Sequence, residues 1–360
     1  MKFITGKQTL TNALMLVGKG ITTSSISALS HYLFDINDGV LNIVTTNLQL
    51  LFSKKIKVEA NGGFKICVPG SILNLIKDLP DQPLIFDIQG NILTISTPTG
   101  KYSLPTEPGE DFPLGKFTET GSLDINSGDL LEAMYKTGFA ASLDELRPAF
   151  TGVYFEFEED GLRLTGTNTY ILSTFKTPIK ATADKLIVPR KAILALQGVK
   201  MPEDNIKLLT GENGIEFHID DTFFIRTRVI DEKFPDYKSI LPNTFPDRLK
   251  VSPNDIISVA KRFLQLTVKE SQDIFFDLGE KVYVAGENKK FNIKVEENIN
   301  ATYEGDALRI YFRAENLINC LGKFDSDVYM FFSSPNLACA ICETPEYNKD
   351  KLMVIVPVIF

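Results

Sequence analysis

Residues 152–174 read GVYFEFEEDGLRLTGTNTYILST. Phe155, Phe157, Leu162 and Leu164 fall at period-two spacing on either side of an acidic turn that ends in Asp160-Gly161. That pattern predicts strand, tight turn, strand. The chain writes it three times, at 31–53 (HYLFDINDGVLNIVTTNLQLLFS), at 152–174 and at 273–295 (DIFFDLGEKVYVAGENKKFNIKV). Phe34, Phe155 and Phe276 are spaced 121 and 121 apart, and Asn47, Asn168 and Asn288 are spaced 121 and 120 apart. A fixed period through the whole chain means three copies of one domain.

Three copies of about 120 residues fit ordinary domain size. The expected boundaries are 1–120, 121–245 and 246–360. With 44% apolar and 23% charged residues the composition is that of a folded globular protein. No stretch has the length and apolarity of a membrane span. The start, MKFITGKQTL, turns polar too soon for a leader, so a cytoplasmic location is expected. Four cysteines are too few and too scattered for a disulfide framework. Cys339 and Cys342 form a CxxC without a second pair. His31 and His218 are the only histidines, which argues against a histidine metal site. There is no glycine-rich phosphate loop and no nucleophile elbow, and the GKG at 18–20 reads as a helix terminator. Glu158-Glu159-Asp160 reads as a solvated turn. An enzyme is therefore not expected, and no cofactor is implied.

Each copy follows the order helix, strands, helix, strands. The first helix of the first copy carries Leu10, Ala13, Leu14 and Val17 at helical spacing, and its second reads PGSILNLIKDL at 69–79. The second copy has INSGDLLEAMYKTGFAAS, with Asn126 or Ser127 as cap, and then VPRKAILALQGV. The third has SPNDIISVAKRFLQL at 252–266, capped by Ser252 with Pro253 at its first position, and then RAENLINCLGKF at 313–324. The fold class is α+β, with antiparallel sheets and two helices per domain.

The net charge of −8 divides as 0, −5 and −3 over the three copies, so no copy is a basic domain. The six helix windows nevertheless hold eleven basic and five acidic residues. If the helices share one surface, that surface is positive on an acidic body. It would attract phosphates without reading bases.

Several stretches resemble one family, the bacterial β sliding clamp, the processivity subunit of DNA polymerase III. They are MKF followed by a helix, RPAFTGVYFE at 147–156, IVPRKAI at 187–193, KFPDYKSILP at 233–242 and the ending VIVPVIF. The resemblance runs through the whole chain in register. It implies a head-to-tail homodimer in which six domains close a ring, with sheets outside and helices lining a hole that DNA threads. DNA-facing candidates are then Lys136, Arg190, Lys191, Lys200, Lys261, Arg262 and Lys323. The resemblance also implies one pocket per subunit for short apolar peptides of the polymerase, the clamp loader and other partners. Its wall would include Phe150, Thr167, Asn168, Thr169, Tyr170, Leu172, Pro235, Ile240, Val354, Val356, Pro357 and Val358. Ring closure would pair Tyr102 and Leu104 with Phe263 and Leu264. Loading would need a separate ATP-driven loader.

The sequence departs from the family in places. Asn168-Thr169-Tyr170-Ile171 stands where an Asp-Gly-His-Arg type run is usual, and Ser239 stands where a pocket arginine is expected. Ser24 and Ser71 replace expected basic residues, and the first copy has no arginine. Val356 and Val358 replace methionines of the tail, and Ile359 replaces a basic residue. DNA contact by the first copy is expected to be weaker and the pocket more apolar. The alternative to an encircling ring is a divergent hub that binds partner peptides without closing on DNA.

Overall fold

The computed structural model describes residues 1–180, 183–241, 245–267, 272–288 and 292–359. Pro242, residues 289–291 and Phe360, which fall in stretches quoted above, lie outside the described residues, as do the side chains of Asn61 and Ile240. The described residues gather into two compact units, Met1–Gly128 with Leu194–Val229, and Asp129–Ile193 with Ile230–Phe360. Residues 121–245, expected as one domain, thus contribute to both.

Six α-helices are present among the described residues: α1 Lys7–Val17, α2 Ile72–Asp78, α3 Ser127–Thr137, α4 Arg190–Gln197, α5 Pro253–Leu266 and α6 Ala314–Leu321. The strands form antiparallel sheets of five, nine, nine and four strands. No helix among the described residues is long and apolar enough to cross a membrane. No group of three or more metal-ligating side chains occurs among the described residues, and the four cysteines are buried free thiols.

The hairpin at 152–174 is present as strands Gly152–Glu158 and Gly161–Thr167, followed by Ile171–Thr177. Phe155 faces Leu164 and Phe157 faces Leu162 across the ladder. The anchors Phe34, Phe155 and Phe276 are all fully buried, as their repeat spacing requires. Gly161 does not serve the reversal. It opens the second strand, and a Cβ there would lie 2.2 Å from the Thr177 carbonyl oxygen. The glycine is needed for close approach of the next strand.

Helices press on strands at three positions about 120 residues apart, 45, 166 and 286. A Cβ on Gly166 would lie 2.4 Å from the Thr137 carbonyl at the end of α3, and one on Gly286 would lie 2.6 Å from the Phe263 ring on α5. Thr45 holds the first of these positions, and its hydroxyl donates to the Val17 carbonyl at the end of α1. Two expected caps act otherwise. Ser252 occupies the cap position of α5, but its hydroxyl makes no capping bond. Ser127 begins α3, and its hydroxyl donates to the Pro202 carbonyl.

The nine-stranded sheets are each joined across a repeat boundary. In the first unit the strand Leu50–Lys57, third of its meander, pairs with Phe223–Arg228, the last strand of the next repeat. In the second unit Ile171–Thr177 pairs with Lys351–Ile355 in the same way. The five-stranded sheet ends on Gly100–Pro105, and the four-stranded sheet ends on Ile293–Asn298. Each of these two strands has one neighbour within its sheet.

Candidate functional site

The expected peptide wall lies within the second unit. Leu172 faces Val354 across the ladder, and the Tyr170 carbonyl accepts from the Val356 backbone at 2.9 Å. Leu172 and Val354 are buried in one apolar cluster with Phe234, Tyr237 and Leu241 of the KFPDYKSILP segment. Phe234 stacks on Tyr154 with ring centroids 4.6 Å apart. The Tyr237 hydroxyl donates to Glu156, a buried carboxylate that also receives Lys185 and Lys238 at 3.3 Å each. Burial, then the Glu156 hydrogen bond, pushes the Tyr237 hydroxyl pKa up, so Tyr237 stays a donor. These contacts fix the segment that carries half-buried Pro235 on the sheet.

Above that floor lie exposed groups. Asn168 accepts from the Tyr170 and Ile171 backbones at 3.0 and 2.8 Å, Thr167 donates to the Ile171 carbonyl, and Thr169 is left-handed at φ 78°. The turn so built displays Tyr170, 62% exposed, beside Val356, 40% exposed. Pro357 is buried, and the half-buried Val358 donates its backbone N–H to the Tyr311 carbonyl at 2.8 Å. Phe150 is half-buried on the short helical turn Pro148–Thr151, and its neighbour Ala149 packs on the same cluster. An apolar floor with an exposed aromatic and aliphatic rim suits leucine or phenylalanine side chains of a peptide.

The basic candidates divide. Lys136 is not displayed to solvent. Its ammonium bonds Glu343 and the Lys323 carbonyl at 2.7 Å each and lies 4.5 Å from the Phe324 ring. Lys136 faces inward from α3 and is buried, so it offers no charge to DNA. Arg262 is exposed but is held by Glu297, and half-buried Arg190 donates to the Gly138 carbonyl. Lys323 sits 3.9 Å from the Tyr135 ring, and burial together with Lys136 lowers its pKa. Lys191, Lys200 and Lys261 are exposed, and Lys191 has only a long contact, 3.7 Å, to exposed Glu145.

The closure candidates also divide. Tyr102 and Leu104 lie half-buried on the edge strand Gly100–Pro105. Phe263 is fully buried against Gly286, so it belongs to the core of α5 and offers no surface, whereas Leu264 is partly buried.

Family models of the DNA polymerase III beta subunit match the chain twice, the N-terminal domain at residues 1–116 and the central domain at 124–236. Together they span more than half of it. The chain belongs to the DNA polymerase III beta subunit family. It is a divergent member. The beta sliding clamp of Rickettsia bellii is 25% identical, and that of Pseudomonas putida 26%, each comparison covering 99% of both chains. The crystal structure of DNA polymerase III subunit beta from Pseudomonas aeruginosa matches with TM-score 0.94 at 22% identity over 100% of both chains. The sliding clamp from Bacillus subtilis matches with TM-score 0.94 at 19% identity, covering 100% of this chain and 99% of that one. The fold is accordingly the clamp fold, and the family role is that of a non-catalytic processivity factor in DNA replication.

Sequence reasoning missed the ring of Tyr135, the partner Glu343 and the buried role of Glu156. Glu156 alternates with Phe155 and Phe157, so its face reads as solvent. Only the segment folded over it makes it interior.

Proposed function

We propose that the chain is three clamp repeats, 1–120, 121–245 and 246–360, and that two copies close head to tail into a ring around duplex DNA. The ring slides on DNA and tethers the catalytic subunit of DNA polymerase III, and a clamp loader and other motif-bearing proteins use the same peptide site.

The manner in which the sheets join carries this reading. Twice within the chain, the third strand of a meander pairs with the last strand of the next repeat. Among the described residues, the strand Ile293–Asn298 that ends the third meander and the edge strand Gly100–Pro105 have no such partner. Joining these strands between two copies would turn a four- and a five-stranded sheet into another nine-stranded one. It would also cover two open sheet edges that otherwise invite aggregation. Tyr102 and Leu104 then sit at the new seam with Leu264 opposite. The DNA-facing cations of this reading are Lys191 and Lys200, with the half-buried Arg190 and Lys323. They act on phosphates and read no bases. The peptide floor is Leu172 and Val354, with Tyr170 and Val356 at its rim.

Solution mass at low micromolar concentration tests the ring. Twice the 40.2 kDa chain mass is expected. A single-chain mass at that concentration would overturn closure and favour the peptide-binding hub.

A further inference from the structure

Two joints inside the chain share one construction. In the first unit Lys19, just past α1, donates to the Gly198 carbonyl at the end of α4 at 2.5 Å. In the second, Tyr135 and Lys136 near the end of α3 reach the end of α6, the hydroxyl donating to the Gly322 carbonyl at 3.4 Å and the ammonium to the Lys323 carbonyl at 2.7 Å. The last carbonyls of a helix have no partner inside it, and they form the negative end of its dipole, where a cation is favoured. In both joints the first helix of one repeat supplies donors and the second helix of the next supplies acceptors.

At the corresponding place α5 holds one donor, Lys261, that has no acceptor among the described residues. The buried positions Leu130, Ala133, Met134 and Thr137 of α3 match Ile256, Val259, Ala260 and Phe263 of α5 at a constant offset of 126. The same offset places Lys261 and Arg262 where α3 has Tyr135 and Lys136. Lys261 is exposed and makes no hydrogen bond or ion pair with another described residue. At the corresponding end of α2 in residues 1–120 the Leu79 backbone N–H donates to the Ile76 carbonyl at 3.3 Å, and no side-chain donor from another segment is recorded there among the described residues. α2 ends at Asp78, whose exposed side chain adds a carboxylate to the terminal carbonyls.

We infer that Lys261, with Arg262 beside it, docks on the C-terminal turn of α2 in a second copy of this chain. This rests on the head-to-tail reading above and names a contact in the helix layer that the strand seam leaves open. It gives Lys261, a DNA-facing candidate by the family resemblance, a place at the joint instead. Arg262 is already held by Glu297, which makes Lys261 the donor to vary.

The test uses the full chain and sedimentation equilibrium. Lys261→Glu and Asp78→Lys should each raise the dimer dissociation constant about tenfold or more, because charge-assisted hydrogen bonds are the stronger ones and each ring loses two. The double variant should regain most of the loss. A Lys261→Cys, Asp78→Cys variant should give a covalent dimer on mild oxidation, a readout independent of the charge changes. A wild-type dimer with unchanged constants in both single variants and no cross-link would overturn this contact and leave the ring standing. A monomeric wild-type chain would overturn both.

Discussion

Asn47 and Asn168 hold the same turn at points 121 residues apart. Asn47 accepts from the Gln49 and Leu50 backbones at 3.1 and 2.7 Å, and Asn168 accepts from Tyr170 and Ile171 at 3.0 and 2.8 Å. The preceding threonines, Thr46 and Thr167, donate to the carbonyls of Leu50 and Ile171. The following residues are both left-handed, Leu48 at φ 72° and Thr169 at φ 78°. Side chains are strained there by about 1–2 kcal/mol, partly offset by the entropy a glycine would lose. Leu48→Gly and Thr169→Gly should therefore each stabilise the fold by about 0.5 kcal/mol. Urea midpoints measure it, and a fall on either change would show that the side chain packs usefully.

The two asparagines differ in what their turns support. Asn168→Ala frees two backbone donors and releases Tyr170, so about 1–2 kcal/mol of stability should be lost. Binding of a fluorescent peptide with leucine and phenylalanine anchors should weaken about tenfold, as expected where a binding group is no longer held in place. Asn47→Ala should cost similar stability and leave peptide affinity unchanged. Equal affinities for the two variants would remove the 168–171 turn from the peptide site.

Lys136 is 11% exposed and its partner Glu343 is 41% exposed. Removing the carboxylate strands a largely buried ammonium, while removing both charges does not. Glu343→Gln should cost about 1–2 kcal/mol, given the carboxylate's exposure, and Lys136→Met combined with Glu343→Gln should cost less. Thermal unfolding of the three proteins decides. A double variant as unstable as the single would mean that the pair contributes by packing.

The strands were legible because one pattern of alternating residues recurs along the sequence, and its phenylalanines Phe34, Phe155 and Phe276 are all buried. What the pattern could not convey is how the repeats are sewn together. Leu172 and Val354 face each other across a boundary between repeats, and strand alternation is blind to partners nearly two hundred residues away. The same blindness placed Lys136 on the surface. A helix wheel shows which residues share a face, but not that a second helix and Glu343 cover that face. Phe263 shows the converse error, an apolar residue assigned to an interface although Gly286 had left room for its ring inside. Glu158 looked solvated within an acidic turn, yet it gathers three cations from separate segments.

That gathering has a pH signature. Burial pushes the Glu158 carboxyl up, but hydrogen bonds from Arg163, Lys176 and Lys238 prevail and hold it at about 2, below the ordinary 4.5. A carboxyl depressed in the folded state stabilises above its unfolded value and loses that contribution as pH falls through the folded one. Stability should therefore decline between pH 4.5 and about 2. Glu158→Gln should be less stable at neutral pH by about 1 kcal/mol, with a flatter profile through that window. Parallel wild-type and variant profiles would show that the carboxylate is not held by these cations when folded.

The distribution of usable cations governs the salt dependence of DNA binding. Each phosphate neutralised contributes about 0.9 to the slope of log affinity against log salt. Lys136 is buried and paired, Arg262 is paired with Glu297, and the first repeat has no arginine and uses Lys19 on the Gly198 carbonyl. Lys191 and Lys200 are exposed, and the single ion pair of Lys191 joins two exposed groups and holds it weakly. Changing both to alanine should lower the magnitude of the slope by about 2, while Lys136→Met should leave it in place. Affinity for a circular duplex, measured over a range of salt concentrations, gives the slopes. A slope that falls with Lys136→Met and not with the exposed pair would relocate the DNA-facing surface to the α3–α6 joint.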